Sequence, residues 1–444
     1  MTGTGAAAVP PLRIHLDADP ALHAQAAWAL EALLARSGVR SWELVDDEED
    51  ADLAWGTGGA AIAHDPATWE FRWDEVPDAA RDPLAATFWW LAREEERLAP
   101  PGAFDEHGRF RYTASAVARL GDPLATPVDV LAEALAAELP EPWCLADPWD
   151  EHEPAYRLVL THDIDLPRRW TKTGRRRALR AVRDDARRGR LLRAARTLLA
   201  LAGAHFRRDP WTNADRIYRL ESREGARSTC YLLAGQHAPE DGDAAEHLEA
   251  YAYDVPQPGI GLHGSYTASV TRGRIAAERT ALQQRTGAEA LDHRFHYLRH
   301  RTVQAWPELA AAGIRSDASL GFAEQPGFRA GTAHPFRAWD HAAGAPLDLV
   351  IIPLAVMDAS FDERYLDVPG RDERRRRILE AVDTIRAVGG AASLLVHNDR
   401  LCCAGDEGWT RTYRNVLRHV AATGGAGVSA GEAADAYRAR LPRA

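Results

Sequence analysis

Residues 158–165 constrain the fold of this chain most, because a strand-like apolar run ends there in two carboxylates. Side chains alternate along an extended strand, so Asp163 and Asp165 would lie on the same face. Neighbouring carboxylates repel unless a cation lies between them or one stays protonated. The pair favours a metal-assisted hydrolytic site, with one carboxylate as ligand and the other as general base, although a solvated turn can carry the same residues.

Three further strand-like runs end in side chains that suit the same chemistry. His263 ends one run, Arg294, His296 and Tyr297 end the next, and His397 ends a late apolar run. In α/β barrels the loops that follow the strands build the active site, at the carboxyl ends of the strands. The alternation of strand-like and helical segments also favours parallel strands with crossover helices. Together these patterns predict a slightly open (β/α)7 barrel.

The order of these endings resembles the NodB-type polysaccharide deacetylases, carbohydrate esterase family 4. The matching segments are Thr161-His162-Asp163-Ile164-Asp165, His263, Arg294-Phe295-His296-Tyr297 and Leu395-Val396-His397. Segments 82–96, 261–266 and 327–332 also resemble a two-part variety of the family that carries an N-terminal α/β region. The resemblance covers roughly residues 157–440 and implies a distorted (β/α)7 barrel preceded by a smaller α/β domain.

The resemblance also implies an activity, the removal of N-acetyl groups from an amino sugar. In that scheme Asp163 is the general base and His397 protonates the leaving amine. Arg294 orients Asp163, and a backbone N–H near Tyr297 stabilises the oxyanion. Asp165 is a metal ligand.

The metal site departs from the family pattern, which has a second histidine four residues after the first. His263 is the first ligand, but Thr267 stands at the second position. Catalytic zinc sites normally have three protein ligands. His296, which stands where the common pattern has proline, is the preferred substitute, and Ser265, Thr267, His293, water or substrate are alternatives. We expect a divalent metal, with zinc ahead of manganese, cobalt, nickel or iron.

Five further residues near the strand ends are candidates for substrate binding: Ser265, Tyr266, Arg329, Trp339 and Asn398. Trp339 could stack on a sugar ring or pack within its loop. Asn398 could instead hold His397 in place. Asp358, which follows the sixth predicted strand, is a further residue near the mouth.

Length, charge and cysteine content limit the classes of protein to which this chain can belong. A chain of 444 residues suits two or three domains, and a net charge of −11 argues against general nucleic-acid binding. The four cysteines form no C-x-x-C pair, and we find neither a signal peptide nor an apolar run of about 18 residues. We therefore expect a cytoplasmic enzyme acting on a carbohydrate precursor or small molecule, and the oligomeric state stays open.

The chain divides at a loop rich in proline and tryptophan, residues 140–154. We expect an N-terminal α/β domain over 1–150, in which no catalytic constellation is evident, and the barrel over 151–444. Predicted helices in the first region cover 21–36, 82–98 and 128–139, and predicted strands cover 12–16 and 42–45. Predicted strands of the barrel are 157–163, 228–234, 259–264, 290–298, 313–319, 348–356 and 392–397.

An arginine-rich helical insertion lies at about 168–208. Residues 168–196 include thirteen basic residues and only two acidic ones. Such runs are typical of exposed helical faces. The insertion could instead attract a pyrophosphate-linked sugar or an anionic membrane surface.

Three functional hypotheses remain at this point. The first is a metal-dependent deacetylase, and the second is a hydrolase of another C–N bond, such as a cyclic ureide or imide, on the same barrel. The third is a carbohydrate-binding relative without catalysis. The missing second histidine keeps the second hypothesis open, because some relatives act without the full metal set.

Overall fold

A computed structural model describes residues 10–17, 19–37, 39–56, 62–143, 153–205, 208–255, 259–368, 370–401 and 408–441. These residues form an α/β protein with a small parallel sheet and a strongly curled, mostly parallel half-barrel sheet. Three of the cysteines and most of the predicted boundary loop lie outside the described residues, whereas Cys230 is buried with a free thiol. In the described part of the chain, no helix combines the length and the apolar character needed to cross a bilayer.

The first region carries a four-stranded parallel sheet in the order β2-β1-β3-β4. Its elements are β1 Leu12–Leu16, α1 His23–Leu34, β2 Trp42–Leu44, β3 Leu53–Gly56, β4 Ile62–Ala63, α2 Pro83–Leu91, α3 Glu94–Leu98, α4 Ala116–Arg119 and α5 Pro127–Glu138. The side chains of β1 alternate between buried and more exposed positions, as expected for a strand with one covered face. The α/β character predicted for this region is confirmed.

The predicted helix over 82–98 is two helices, α2 and α3, separated at Arg93. Asp82 starts α2 by accepting hydrogen bonds from the backbone N–H groups of Leu84 and Ala85. Arg93 has a φ of 60°, in the left-handed region that interrupts a helix. Its buried guanidinium bonds to the Trp90 carbonyl and to Glu96, so the bend is held by contacts that local sequence does not reveal.

The half-barrel has ten strands among the described residues, and nine of them follow the spatial order β10-β11-β9-β8-β7-β6-β5-β13-β12. In chain order the strands are β5 Tyr156–Ile164, β6 Thr229–Leu233, β7 Ile260–Gly264, β8 Asp292–Phe295, β9 Ser316–Asp317, β10 Phe336–Asp340, β11 Ala345–Ile351, β12 Leu354–Met357, β13 Ala391–Leu395 and β14 Gly425–Val428. Only β10 pairs in the antiparallel sense, with β11. The predicted barrel class is confirmed, but the seven predicted strands understate the count.

The single predicted strand over 348–356 is two strands that belong to opposite edges of the curled sheet. β11 pairs with β9, whereas β12 pairs with β13. Between them the Ile352 N–H donates to the Asp317 carbonyl at 2.8 Å, and the Pro353 carbonyl accepts from the Ser393 N–H at 2.7 Å. This short stretch joins the two edges, because its backbone bonds to both.

Most helices of the half-barrel lie between its strands in the chain, and α14 follows the last strand. They are α6 Lys172–Arg187, α7 Leu191–Ala202, α8 Ala214–Ser222, α9 Leu248–Ala252, α10 Arg274–Thr286, α11 Thr302–Ala311, α12 Arg371–Ala387, α13 Trp409–Ala422 and α14 Ala430–Arg440. The arginine-rich insertion forms the α6–α7 pair, and most of its side chains are exposed, as predicted.

The apolar core runs without a break from the small sheet into the half-barrel. Trp339 on β10 lies 5.3 Å, between ring centroids, from both Trp28 of α1 and Phe88 of α2. Its side chain is 2% exposed. The prediction that Trp339 binds substrate is therefore not supported, because the ring is enclosed by the first region.

Candidate active site

The two aspartates stand at the carboxyl end of β5, a strand that is buried along its whole length. Asp163 is paired in register with Tyr231 of β6, and Asp165 follows the last strand residue. Among the described residues, Asp163 Oδ1 and Asp165 Oδ1 are both buried without a hydrogen-bond partner. Unpaired buried carboxylate oxygens are costly, so this strand end is suited to a cation or to a polar substrate.

His263, on the neighbouring β7, directs one ring nitrogen at Asp165. Its Nδ1 lies 2.9 Å from the Arg294 carbonyl, which can only accept, so Nδ1 carries the proton. Nε2 is therefore the nitrogen that is available to a metal ion, and it lies 3.1 Å from Asp165 Oδ1. The next residue is Gly264, where an added Cβ would stand 2.5 Å from His293 Nε2, so the strand tolerates no larger residue there.

His296 approaches the same carboxylate from the end of β8. Its Nε2 lies 3.6 Å from Asp165 Oδ2, and its Nδ1 lies 3.2 Å from Asp241 Oδ1. Burial lowers the pKa of His296, but Asp165 and Asp241 outweigh that effect and raise it to about 9. Burial raises the pKa of Asp241, and its bonds from His296 and from the Tyr266 backbone bring it down to about 2. Asp241 thus orients His296 as carboxylates orient metal-ligating histidines.

Asp165, His263 and His296 form a group that can hold a metal ion. One ligand atom from each lies within 4.8 Å of the other two. Burial alone would raise the pKa of Asp165, yet His296 and the other adjacent imidazoles lower it well below its usual range. Of the alternative ligands, His293 turns its Nδ1 to Asp317 at 2.8 Å. The donor set of two imidazoles and one carboxylate fits a catalytic transition-metal site.

His397 faces this group from the end of β13. Its Nε2 lies 3.5 Å from Asp165 Oδ2, and its Nδ1 lies 2.6 Å from Asp358 Oδ1. Asp358 Oδ2 also accepts from the His397 backbone N–H at 2.9 Å. Burial lowers the pKa of His397, but Asp358 and Asp165 raise it well above its usual range. The ring is therefore held in one orientation and favours the protonated form.

Arg294 lies beneath Asp163. Its Nε is 3.7 Å from Asp163 Oδ1, and its Nη2 donates to Ser393 Oγ at 3.2 Å. The guanidinium also lies over the Tyr231 ring, 5.1 Å from the centroid. The guanidinium therefore places a buried positive charge beside the Asp163 carboxylate.

Tyr297 lines the mouth of the site in an unusual backbone conformation. Its φ is 62° and that of Leu298 is 53°, both in the left-handed region that non-glycine residues seldom occupy. The Tyr297 carbonyl accepts from Arg109 Nη1 at 3.3 Å. Such strain persists only where the surroundings hold it, and it clusters at functional sites.

Several of these residues border a cleft of about 120 Å³. Its lining comprises Asp163, Asp165, His296, Tyr297, Leu298, Met357, Ala359, Arg364, Tyr365, His397 and Arg109. Arg109 comes from the first region and donates through Nη2 to the Tyr365 hydroxyl at 3.1 Å. The first region, in which the sequence shows no catalytic constellation, therefore contributes a residue to the lining of the cleft.

The predicted substrate-binding residues do not gather at the cleft. Arg329 is 1% exposed and makes two hydrogen bonds to Glu96, at 2.8 and 2.7 Å, so its predicted contact with substrate is not supported. Ser265 donates to Glu278 at 2.5 Å. Asn398 donates to two backbone carbonyls of the loops after β5, at 2.9 Å each, and so holds those loops.

Tyr266 lies nearest to the cleft among these five residues. Its ring is 5.4 Å from that of Tyr297, and its hydroxyl lies 2.9 Å from His107 Nδ1. His107, like Arg109, belongs to the first region. Sequence reasoning missed Asp241, Arg109, Arg364 and Tyr365. Only Asp241 had a signal in the sequence, and that signal was indirect. If His296 ligates a metal, its second ring nitrogen needs a hydrogen-bond partner, which predicts a carboxylate or carbonyl nearby.

A scan of the sequence against protein-family models found no match, and a search of curated proteins found no significant one. Among solved structures, the chain is similar to the crystal structure of a "putative polysaccharide deacetylase from Mycobacterium smegmatis". The TM-score is 0.45 and the sequence identity 15%, with 67% of this chain and 95% of that chain covered. A likeness this distant transfers neither activity nor site residues.

Proposed function

We propose that this protein is a metal-dependent hydrolase that removes N-acetyl groups from an amino sugar in a glycan or sugar-precursor pathway. The observation that carries the proposal is the convergence of three imidazole Nε2 atoms, from His263, His296 and His397, on the Asp165 carboxylate. A second carboxylate, Asp163, stands beside them with a buried guanidinium behind it. Separate ligand, base and acid groups in one cleft are what amide hydrolysis requires.

Asp165, His263 and His296 would hold the metal, and zinc is the ion that best suits this donor set. A bound divalent ion supplies a Lewis acid that polarises a carbonyl and makes water more acidic. The buried, unpartnered His263 Nε2 and Asp165 Oδ1 fit such an ion. Manganese, cobalt, nickel and iron are the alternatives.

The remaining groups move protons and position the acyl group. Asp163, with the Arg294 guanidinium 3.7 Å away, accepts the proton of the attacking water. Protonated His397, held by Asp358, donates a proton to the amine nitrogen as the C–N bond breaks, so the products are acetate and a free amine. The size of the cleft, about 120 Å³, suits the acyl end of the substrate, and Tyr297 and Arg109 lie at its mouth.

The proposal is tested by measuring metal content and acetate release together. Purified protein should contain about one divalent ion per chain and release acetate from N-acetylated amino sugars. Asp163→Asn should keep the ion and lose at least ~100-fold in kcat, the usual contribution of a general base. His263→Ala should lose both the ion and the activity.

Asp243→Asn provides a matched control, because this nearby loop aspartate lies outside the cleft. It should retain both the metal and the activity. Cleavage of a cyclic ureide without acetate release from any acetylated sugar would contradict the proposed substrate. An Asp163→Asn variant as active as the parent would contradict the proposed mechanism.

A further inference from the structure

The α6–α7 pair exposes more large apolar side chains than a helical hairpin at a water-facing surface needs. Leu191, Leu192 and Leu199 of α7 are 67%, 68% and 74% exposed. Leu198 of the same helix is 46% exposed, and Leu179 of α6 is 53% exposed. Five exposed leucines on two neighbouring helices mark an interaction surface.

Four of the five leucines of α7 lie on one face of the helix. Leu191, Leu192, Leu198 and Leu199 recur at a spacing that fits the helical period. Ala194, on an adjacent face, is 6% exposed, and it is the one residue of α7 that is fully buried. Only a small part of the apolar arc of α7 therefore packs against the rest of the protein.

Basic side chains accompany this apolar arc. The exposed arginines Arg176, Arg177, Arg180, Arg183 and Arg187 lie on one face of α6, at the helical spacing. Asp184 and Asp185 are the acidic residues of the hairpin, and they pair with Arg183, Arg190 and Arg193. Among the described residues, Arg176, Arg177 and Arg180 make no ion pair.

The base of the hairpin is basic as well. A cleft of about 280 Å³ there is lined by Arg168, Arg175, Trp170 and His247, with Asp209 as its acidic residue. The Arg169 guanidinium lies over the Trp170 ring, 4.7 Å from its centroid. The basic surface thus extends from the helices to the point where they join the half-barrel.

We propose that the α6–α7 hairpin binds the surface of an anionic lipid bilayer. Helices that lie in a membrane interface combine exposed apolar side chains with a strongly basic polar face, and both features occur here. Charge selects this occupant over a second copy of the hairpin, because two segments with thirteen basic and two acidic residues each would repel. The remainder of the chain is acidic, so attraction to the bilayer is confined to this hairpin.

Co-sedimentation of the full-length protein with lipid vesicles tests this proposal. The protein should bind vesicles that contain phosphatidylglycerol and phosphatidylcholine, bind poorly to phosphatidylcholine alone, and lose binding as salt is raised. Arg176→Gln/Arg177→Gln/Arg180→Gln should weaken binding about 100-fold, since each basic residue near an anionic surface contributes on the order of 1 kcal/mol. Leu191→Asn/Leu192→Asn should weaken it about 10-fold.

Two matched variants control for charge and for exposed apolar surface elsewhere. Arg371→Gln/Arg375→Gln/Arg376→Gln removes three basic residues from α12, and Leu120→Asn/Val130→Asn removes two exposed apolar side chains from the first region. Both should bind vesicles as the parent does, and circular dichroism should show every variant folded.

Equal binding to both kinds of vesicle, or equal binding by the hairpin and control variants, would overturn the proposal. A dimer in sedimentation velocity that the leucine variants abolish, without vesicle binding, would identify a second copy as the occupant and would also overturn it. Acetate release from a soluble substrate should be unchanged in all four variants. Failure of the membrane proposal therefore leaves the proposed hydrolase activity separately testable.

Discussion

Asp165 is the residue on which the candidate site is centred. Three imidazoles direct Nε2 at its carboxylate, and each has its Nδ1 fixed by a different acceptor: the Arg294 carbonyl, Asp241 or Asp358. The ring orientations are thus set before any ligand binds. Orientation by a second hydrogen bond is what raises the basicity and affinity of histidine ligands.

The first prediction concerns Asp241, which orients His296. Asp241→Asn should weaken metal binding about 10- to 100-fold, because an amide orients and polarises the imidazole less well than a carboxylate does. Titration of the metal-free protein with zinc, followed by calorimetry, measures the change. Asp243→Asn is the control and should bind zinc as the parent does. Unchanged affinity in Asp241→Asn would show that Asp241 serves only the fold of its loop.

The second prediction concerns pH and a carboxyl group remote from the cleft. Burial raises the pKa of Asp292 from 3.8 to about 6, although the Ser316 hydroxyl donates to it at 2.6 Å. A raised folded-state pKa means that the folded protein binds this proton more tightly than the unfolded chain. The stability that it contributes is therefore present at low pH and lost as pH rises through about 6, a change of roughly 3 kcal/mol.

Asp292→Asn keeps an acceptor for Ser316 and removes the charge. We expect the variant to be more stable than the parent by about 1–3 kcal/mol at pH 7.5, with a smaller difference at pH 5. Urea unfolding at the two pH values measures this. Asp348→Asn, at a side chain that is 85% exposed, should show no such pH-dependent difference. A difference that is equal at both pH values would contradict the assignment of the titration to Asp292.

The residues that could be found from sequence are those whose role follows from a strand end. Asp163, His263 and His397 stand where an apolar run stops, and the fold brings those ends together. Asp241 and Arg109 could not be found in this way, because no local pattern marks them and only the folded distances connect them with His296 and Tyr297.

At the scale of elements, β5, β6, β7 and β13 were predictable because each contains a compact apolar run, whereas β8 is mostly polar. The outer strands were not predictable. The predicted strand over 348–356 divides at Pro353, which lacks an N–H and therefore cannot continue a ladder as a donor. β10 and β14 escaped prediction because two of the five residues of β10 are charged, Arg337 and Asp340, and β14 is half glycine.

The third prediction concerns the contact between α3 and the loop after β9. Glu96 and Arg329 form a buried bidentate pair, and burial opposed by Arg329 and Arg93 brings the pKa of Glu96 down to about 2. Arg329→Met should lower the free energy of unfolding by about 3–5 kcal/mol, because it leaves a buried carboxylate short of its partner. Urea unfolding measures the loss.

Two further variants make that prediction specific. Arg329→Met/Glu96→Gln should recover part of the lost stability, since the orphaned charge is gone. Asp52→Asn breaks the more exposed Arg13–Asp52 pair and should cost no more than about 1 kcal/mol. A double variant that is less stable than Arg329→Met alone would contradict the explanation by unpaired charge.

At the scale of the whole molecule, the two sheets share one core. Trp28 and Phe88 of the first region enclose Trp339 of the half-barrel, and Glu96 binds Arg329 across the same junction. A boundary near residue 150 could be read from composition, but the shared core could not, because its contacts join residues that are distant in sequence.

The fourth prediction follows from this shared core. The protein should unfold in urea as one cooperative unit, so tryptophan fluorescence and far-ultraviolet circular dichroism should give coincident midpoints. Trp339→Leu should shift both midpoints together. Two separated transitions, or a Trp339→Leu variant that shifts only one signal, would show that the regions are energetically independent.

Because Arg109 lines the cleft, both the first region and the half-barrel contribute residues to the candidate site. The groups that would break the amide bond come from the half-barrel, whereas Arg109 and the neighbouring His107 reach the rim from the other half. In the proposed hydrolase, the first region would therefore help to select the substrate, while the half-barrel would cleave it. Grafting a different loop in place of residues 105–111 would change which molecules are admitted while leaving the bond-breaking groups untouched.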